Sequence, residues 1–277
     1  MYRDERAGPP ATTPHGRPRD TAPPDTGTAT GTDTGTATGT DTSTDTGTDA
    51  DLDHLLVVLQ LTDSAFPSGF YTLSHSLEGY VQERAVDGES LPALLHDLLR
   101  NGVGPSDATA LALAHRAASA GDWAAVGAVD RRLYAAKLGR EPRQAAVRTG
   151  RQLLDLAAEV FGADGIVRYH REVAAHRAPG TQAVAAGVVH AAAGVPVRQA
   201  VAADLHQFCA SFAGAALRLR LTDHRLAQVL LRRTAPVIAE TTRRALERGL
   251  DDLGATTFAA DVMSARHERA EARLFAS

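Results

Sequence analysis

Cysteine is almost missing from this chain of 277 residues, where Cys209 stands alone. That excludes an intrachain disulfide and any zinc site built on paired thiolates. Lysine is just as scarce: Lys137 is the one example among 29 Lys and Arg, so nearly every cation is a guanidinium. Alongside heavy alanine use, this reads as codon bias rather than selection for bidentate contacts. Long apolar runs are absent too. The longest, Ala183 to Val197, is interrupted by His190 and Pro196 and falls short of the roughly 20 residues that span a bilayer. No basic stretch followed by an apolar core opens the chain, so no signal peptide and a cytoplasmic location are expected. Nor is there an HExxH, a Gly-Lys-Ser/Thr phosphate loop or a Gly-x-Ser-x-Gly elbow.

What is present begins with a biased segment. From Thr26 to Thr48 every even-numbered residue is Thr, and the unit at 25–32 repeats at 33–40. Between the threonines stand Gly, Ala, Asp and one Ser, which offer no apolar face to repay the entropy of ordering. Residues 1–51 are therefore expected to form a disordered tail, and 52–277 a single domain. Residues 1–50 carry four Arg against seven Asp and one Glu, which leaves 25 charges of each sign in the body. A balanced body argues against a nucleic-acid surface, which needs clustered excess Lys and Arg.

Helical periodicity dominates from Asp53 onward, and no segment alternates like a strand. Apolar spacing with Ser, Asp and Pro at the starts predicts helices over 53–61, 73–84, 107–120, 122–138, 141–161 and 169–177, with another opening at Ser90. Four more follow over 181–193, 197–221, 223–248 and 254–275. The expected fold is all-α: a compact bundle of about ten helices, many lined with Ala and Gly so that axes approach closely.

Few polar constellations stand out. His206 and Cys209 share a helix face, but two ligands do not complete a metal site, and Cys209 reads better as a small core residue. His75 and Glu78, at i and i+3 after the Pro67–Gly69 turn, are either a polar feature shown to a partner or a local anchor. Arg143, Arg148 and Arg151 line one side of a helix around Gly150, a residue that costs about 1 kcal/mol there relative to Ala. Close approach of another backbone is the physical reason for such a glycine. From Ser264 to Arg273 there is no large apolar side chain, and Leu274 and Phe275 follow. Such a segment is expected to order on a partner; the alternative is that Phe275 tucks back on its own core.

Several motifs carry a family resemblance. The run Leu55-Leu56-Val57-Val58-Leu59-Gln60-Leu61-Thr62-Asp63, with Phe66-Pro67-Ser68-Gly69 and then Ser74-His75-Ser76-Leu77-Glu78, resembles the N-terminal signature of UreF, a family of urease accessory proteins. Glu141-Pro142-Arg143 with Gly150 and Leu153-Leu154, Gly187-x2-His190-x3-Gly194-Val195-Pro196, Ala215-Ala216-Leu217-Arg218-Leu219, and the ending Ser264-x2-His267-Glu268 with Arg273-Leu274-Phe275 are similar to later family segments. The chain departs at Arg220–Gln228, where many members carry P-L-G-Q-x-x-x-Q, and the Thr-rich tail has no family counterpart.

The resemblance, which covers about residues 54–277, implies a non-enzymatic maturation chaperone. Such proteins are helical homodimers that bind UreD (UreH in some organisms) and with it recruit the GTPase UreG. The assembly delivers Ni²⁺ to the urease apoenzyme at the expense of GTP bound by UreG. The scaffold itself is expected to hold no stable cofactor and to contact neither membrane nor nucleic acid. On that reading His75, Glu78, Arg143, Arg151, His267, Glu268, Arg273, Leu274 and Phe275 are the candidate partner-binding residues, with no catalytic or metal-binding residue. Two other classes stay open on the residues alone: a helical enzyme with a buried metal or diphosphate site, and a dimeric helical DNA-binding regulator suggested by Arg232-Arg233 and Arg243-Arg244.

Overall fold

A computed structural model describes residues 48–276, and every regular element among them is helical. Eleven α-helices are present: α1 (Asp49–Thr62), α2 (Leu77–Gln82), α3 (Leu91–Asp97), α4 (Thr109–Ser119), α5 (Trp123–Ala136), α6 (Arg140–Phe161), α7 (Asp164–Ala174), α8 (Gln182–Ala192), α9 (Val197–Arg218), α10 (His224–Glu247) and α11 (Phe258–His267). A 3₁₀ turn covers Phe70–Thr72 and a π-helical stretch covers Leu98–Ala108. The expected tail, residues 1–51, overlaps the first helix. Thr48 Oγ1 accepts from Asp51 N at 3.2 Å while Asp51 returns a carboxylate to Thr48 N, a capping box that starts α1 at Asp49. Residues 1–47 lie outside the described part of the chain.

Helix α8 is the centre. Each residue from Gln182 to His190 is buried, and α4 and α6 pack most closely against it, while α9 pairs with α10. Small side chains permit this. A Cβ on Gly150 of α6 would stand 2.2 Å from Gly180 O and 2.6 Å from Gln182 N, so a helix backbone rests directly on the backbone leading into α8. That is the close approach the sequence suggested. Asp130 of α5, fully buried, holds the same junction: it accepts from Tyr169 Oη at 2.6 Å, Gly180 N at 2.7 Å, and Thr181 N and Oγ1 at 3.0 and 2.5 Å. Four donors on one buried carboxylate offset its desolvation.

The sequence placed a helix start at Pro105-Ser106. The structure instead runs a continuous rod from α3 through the π stretch into α4, with Pro105 inside it. Proline offers no N–H and pushes away the carbonyl four residues earlier. That carbonyl, Asn101 O, accepts from Thr256 N at 2.9 Å, and Pro105 O accepts from Gly254 N at 3.2 Å. A segment far downstream thus takes the carbonyl the proline orphans and a second one beside it, and no helix break is needed.

Helix α1 buries only Leu61 fully, while Leu52, Leu55, Leu56 and Leu59 remain exposed. Among the described residues no helix is long and apolar enough to cross a membrane.

We expect Gly150→Ala to destabilise the fold by about 3 kcal/mol, because its methyl meets backbone that cannot move aside. Gly214→Ala, where a Cβ meets nothing within 4 Å, should stabilise by roughly 0.5–1 kcal/mol. Thermal melts of the two variants should shift in opposite directions.

Candidate functional site

The turn after α1 sets up the site. Gly69 takes φ +77°, and His75 and Ser76 are also left-handed at φ 54° and 70°. Two consecutive non-glycine residues in that region are strained by about 1 kcal/mol or more each, so the surroundings must hold them. His75 Nε2 lies 3.0 Å from Ser211 Oγ, and the ring sits 5.1 Å from the Phe70 ring and 4.5 Å from that of Phe208. Burial pushes its pKa down to about 3, with Asp107 opposing and Lys137 reinforcing the shift. His75 is therefore an internal anchor, which corrects the alternative of a side chain displayed to a partner.

That anchor aims α2 so that Glu78, 5% exposed, points inward. Its Oε1 accepts from Leu274 N at 2.7 Å; its Oε2 accepts from Phe275 N at 2.9 Å and from His267 Nε2 at 2.8 Å. His267 is itself 1% exposed, and its Nδ1 faces Glu141 Oε2 at 3.4 Å. Glu141 also takes Arg273 Nη1 at 2.5 Å, while Glu268 pairs with Arg140 and Arg266 with Glu83. Ala276 N donates to Thr72 O at 3.1 Å, and Phe275 is buried under the Arg218 guanidinium, 4.3 Å from its ring centroid. Helix α11 can lie this close to α2 because Gly79 faces it: a Cβ there would stand 2.4 Å from Met263 O.

The C-terminal segment is therefore latched to its own body, which favours the alternative in which Phe275 tucks back on its core over ordering on a partner. Charge and backbone hydrogen bonds replace the missing apolar face. Glu78, His267, Glu268, Arg273, Leu274 and Phe275 come together here; of these, Glu78, His267 and Phe275 are buried and Leu274 is 62% exposed. The outer face of α11 adds exposed Phe258 and Val262, at i and i+4. Arg143 is occupied elsewhere. It donates to Lys137 O at 2.9 and 2.6 Å and stacks over Tyr134, capping the end of α5. Arg151 lies apart, exposed on the far half of α6.

Sequence reading passed over a polar cavity beside the latch. It encloses about 120 Å³ and is lined by His75, Asp107, Lys137, Gln182, Asp204 and Ser264, among others. The chain's single lysine sits in it, 2.8 Å from Asp107 Oδ1. Asp204 accepts from Gln182 Nε2 at 2.8 Å, yet burial pushes its pKa up to about 6. The lone lysine was the available signal. His206 and Cys209 do not converge: Cys209 is buried, with burial pushing its thiol up to about 12, while His206 is exposed. Among the described residues no group of three or more His, Cys, Asp or Glu is arranged to hold a metal ion.

The described residues thus form an all-helical body whose buried charges act as internal ties and whose surface carries the remaining exposed apolar groups. A family model described as UreF matches residues 85–235. The "Urease accessory protein UreF" of Trichodesmium erythraeum (strain IMS101) is 31% identical over 230 residues, 82% of this chain and 98% of that protein. The protein of the same name from Rhodopseudomonas palustris (strain BisA53) is 36% identical over 214 residues, 77% and 89% of the two chains. "Urease accessory protein UreF 2" of Brucella canis (strain ATCC 23365 / NCTC 10854 / RM-666) is 32% identical over 226 residues, 81% and 92%. The chain belongs to the UreF family, whose members are named as accessory proteins and not as enzymes.

Glu78→Ala would leave three donors without their acceptor, and we expect a loss of roughly 3 kcal/mol together with release of the C-terminal segment. Limited trypsin digestion should then cut after Arg269 and Arg273 well before the body is attacked. For Asp204 the sign is opposite to the usual acid. Its folded pKa of about 6 lies above the ordinary value of 3.8, so its contribution to stability is present below about pH 4 and lost as pH rises through about 6. Asp204→Asn keeps the bond from Gln182 and removes the cost of burying a carboxylate at neutral pH. We expect a gain of up to about 3 kcal/mol at about pH 7 and little change at about pH 4, read from melting midpoints.

Proposed function

We propose that this chain is the helical adaptor of a urease maturation complex. It docks a UreD (UreH)-like protein through the latched C-terminal face, works as a homodimer in the cytoplasm, and together with that protein recruits a UreG-like GTPase. The assembly inserts Ni²⁺, the cargo, into the urease apoenzyme in a step that consumes GTP on the GTPase.

The observation that carries this reading is the latch. Three elements, α2, α6 and α11, contribute charged ties whose combined effect is to fix a short terminal segment in one shape. Fixing it leaves Leu274 and the Phe258–Val262 face of α11 exposed on a preorganised surface. A rigid apolar surface loses less entropy on association than one that must order first. Exposed apolar groups beside charged pairs are what a specific protein interface uses at its centre and rim.

The residues that test it must be exposed. Deleting Arg266–Ser277 removes buried His267 and Phe275 and would disturb the body, so it is a poor probe. Leu274→Glu changes a side chain that is 62% exposed. It should leave the melting temperature within about 2 °C of the parent. Co-expressed with the UreD-like and UreG-like proteins of the same genome, the variant should lose co-purification of the UreD-like protein. Full retention would remove the latch from the docking surface.

A further inference from the structure

The half of α6 remote from the latch lines an open groove of about 740 Å³. Its walls carry Arg131 from α5, Arg148 and Arg151 from α6, and His176 and Arg177 from the loop that leaves α7. Its floor is apolar where Val147, Ala178 and Pro179 line it, with Tyr134 at one side. No carboxylate lines it. Arg177 is paired with Glu172 outside the groove, whereas Arg131, Arg148 and Arg151 make no ion pair among the described residues. In a body with 25 charges of each sign, three unpaired guanidiniums in a groove lined by no acid are a local excess that the fold itself does not use.

The walls are fixed. Gly150 lies between Arg148 and Arg151 and brings α6 against the backbone at 180–182. Asp130 grips Gly180 N and Thr181 N from the other side. His176, held left-handed at φ 58°, ends α7 with its N–H donated to Val173 O at 3.1 Å. The distance between the helix arginines and the loop is therefore set before anything binds, which lowers the cost of ordering on association.

We infer that this groove is a second docking surface, distinct from the latch, and that its occupant is an acidic segment of a protein partner with apolar side chains between its carboxylates. Guanidinium forks match carboxylates in geometry as well as charge. The apolar floor offers contact to side chains that a bare phosphate lacks. Its open shape and length suit an extended or helical stretch of chain rather than a compact small molecule. The inference rests on the adaptor reading for the partner being a protein, and it gives the adaptor two faces: an apolar one at the latch and a cationic one on the far half of α6.

The test uses the full chain and a fluorescein-labelled peptide of repeated Glu-Glu-Leu, with binding read by anisotropy. Binding is expected to weaken at least tenfold between about 50 and about 200 mM salt. It should also weaken about tenfold in Arg148→Ala/Arg151→Ala, whose side chains are exposed and tie nothing down. Arg243→Ala, on a surface pair with Glu247, should leave binding unchanged. Equal binding by parent and double variant would overturn the inference. So would displacement of the peptide by inorganic pyrophosphate at micromolar concentration, which would make the groove a phosphate site. Co-purification of the UreD-like protein by the double variant reads the latch separately: its retention is expected, and its loss there would overturn the separation of the two faces.

Discussion

One buried carboxylate organises the end of this molecule. Glu78 accepts hydrogen bonds from His267 and from two successive backbone amides, Leu274 N and Phe275 N. Two successive N–H groups in a loop make a natural anion cradle; here the anion is supplied by the chain's own second helix. Everything near it follows from that tie. His75 and Ser76 accept a strained backbone so that α2 can aim Glu78 inward. Gly79 then lets α11 close over it, and Glu141 takes the outward nitrogen of the imidazole together with Arg273.

Asp130 plays a comparable part in the body, collecting four donors from α7 and from the entrance to α8. In both places the charge is buried because three or four donors reach the carboxylate, and removing either acid would leave those donors stranded. Alanine and glycine surfaces do the complementary work. They let α6 and α8, and α2 and α11, come within backbone distance, so the body is stiff and both of its charged faces are held in register.

The elements legible in the sequence were those whose signals are local. Asp122 and Asp223 were read as helix starts, and their carboxylates accept from Ala125 N and from Arg225 N and Leu226 N as that reading requires. Gly150 announced a close approach because a glycine inside a helix needs a reason. What was not legible depends on partners far along the chain. Pro105 looked like a helix start because nothing nearby says that Thr256 and Gly254 will take the carbonyls it frees. The charged stretch from Ser264 to Arg273 looked unable to settle on its own body because its ties are single charges, not an apolar stripe. Asp130, beside Arg131 and Arg132, drew no reading at all, because its four donors lie 39 to 51 residues further on. Lys137, the one lysine in the chain, was visible and was set aside as a bias of composition, although it sits in the polar cavity opposite Asp107.

The span of the Glu78 latch has a consequence for the order of assembly. It joins residues 196 and 197 positions apart, and closing so large a loop is entropically costly until the body has already brought its ends together. Helices α4 to α10 must therefore pack first, and the terminal segment settles last onto a finished surface. The reverse path begins at the same place: lifting 268–276 breaks the ties to Glu78, Glu141 and Arg140 together and uncovers Phe275, so the segment opens as one unit. The stretch that settles last is thus held by charge and backbone amides more than by apolar area.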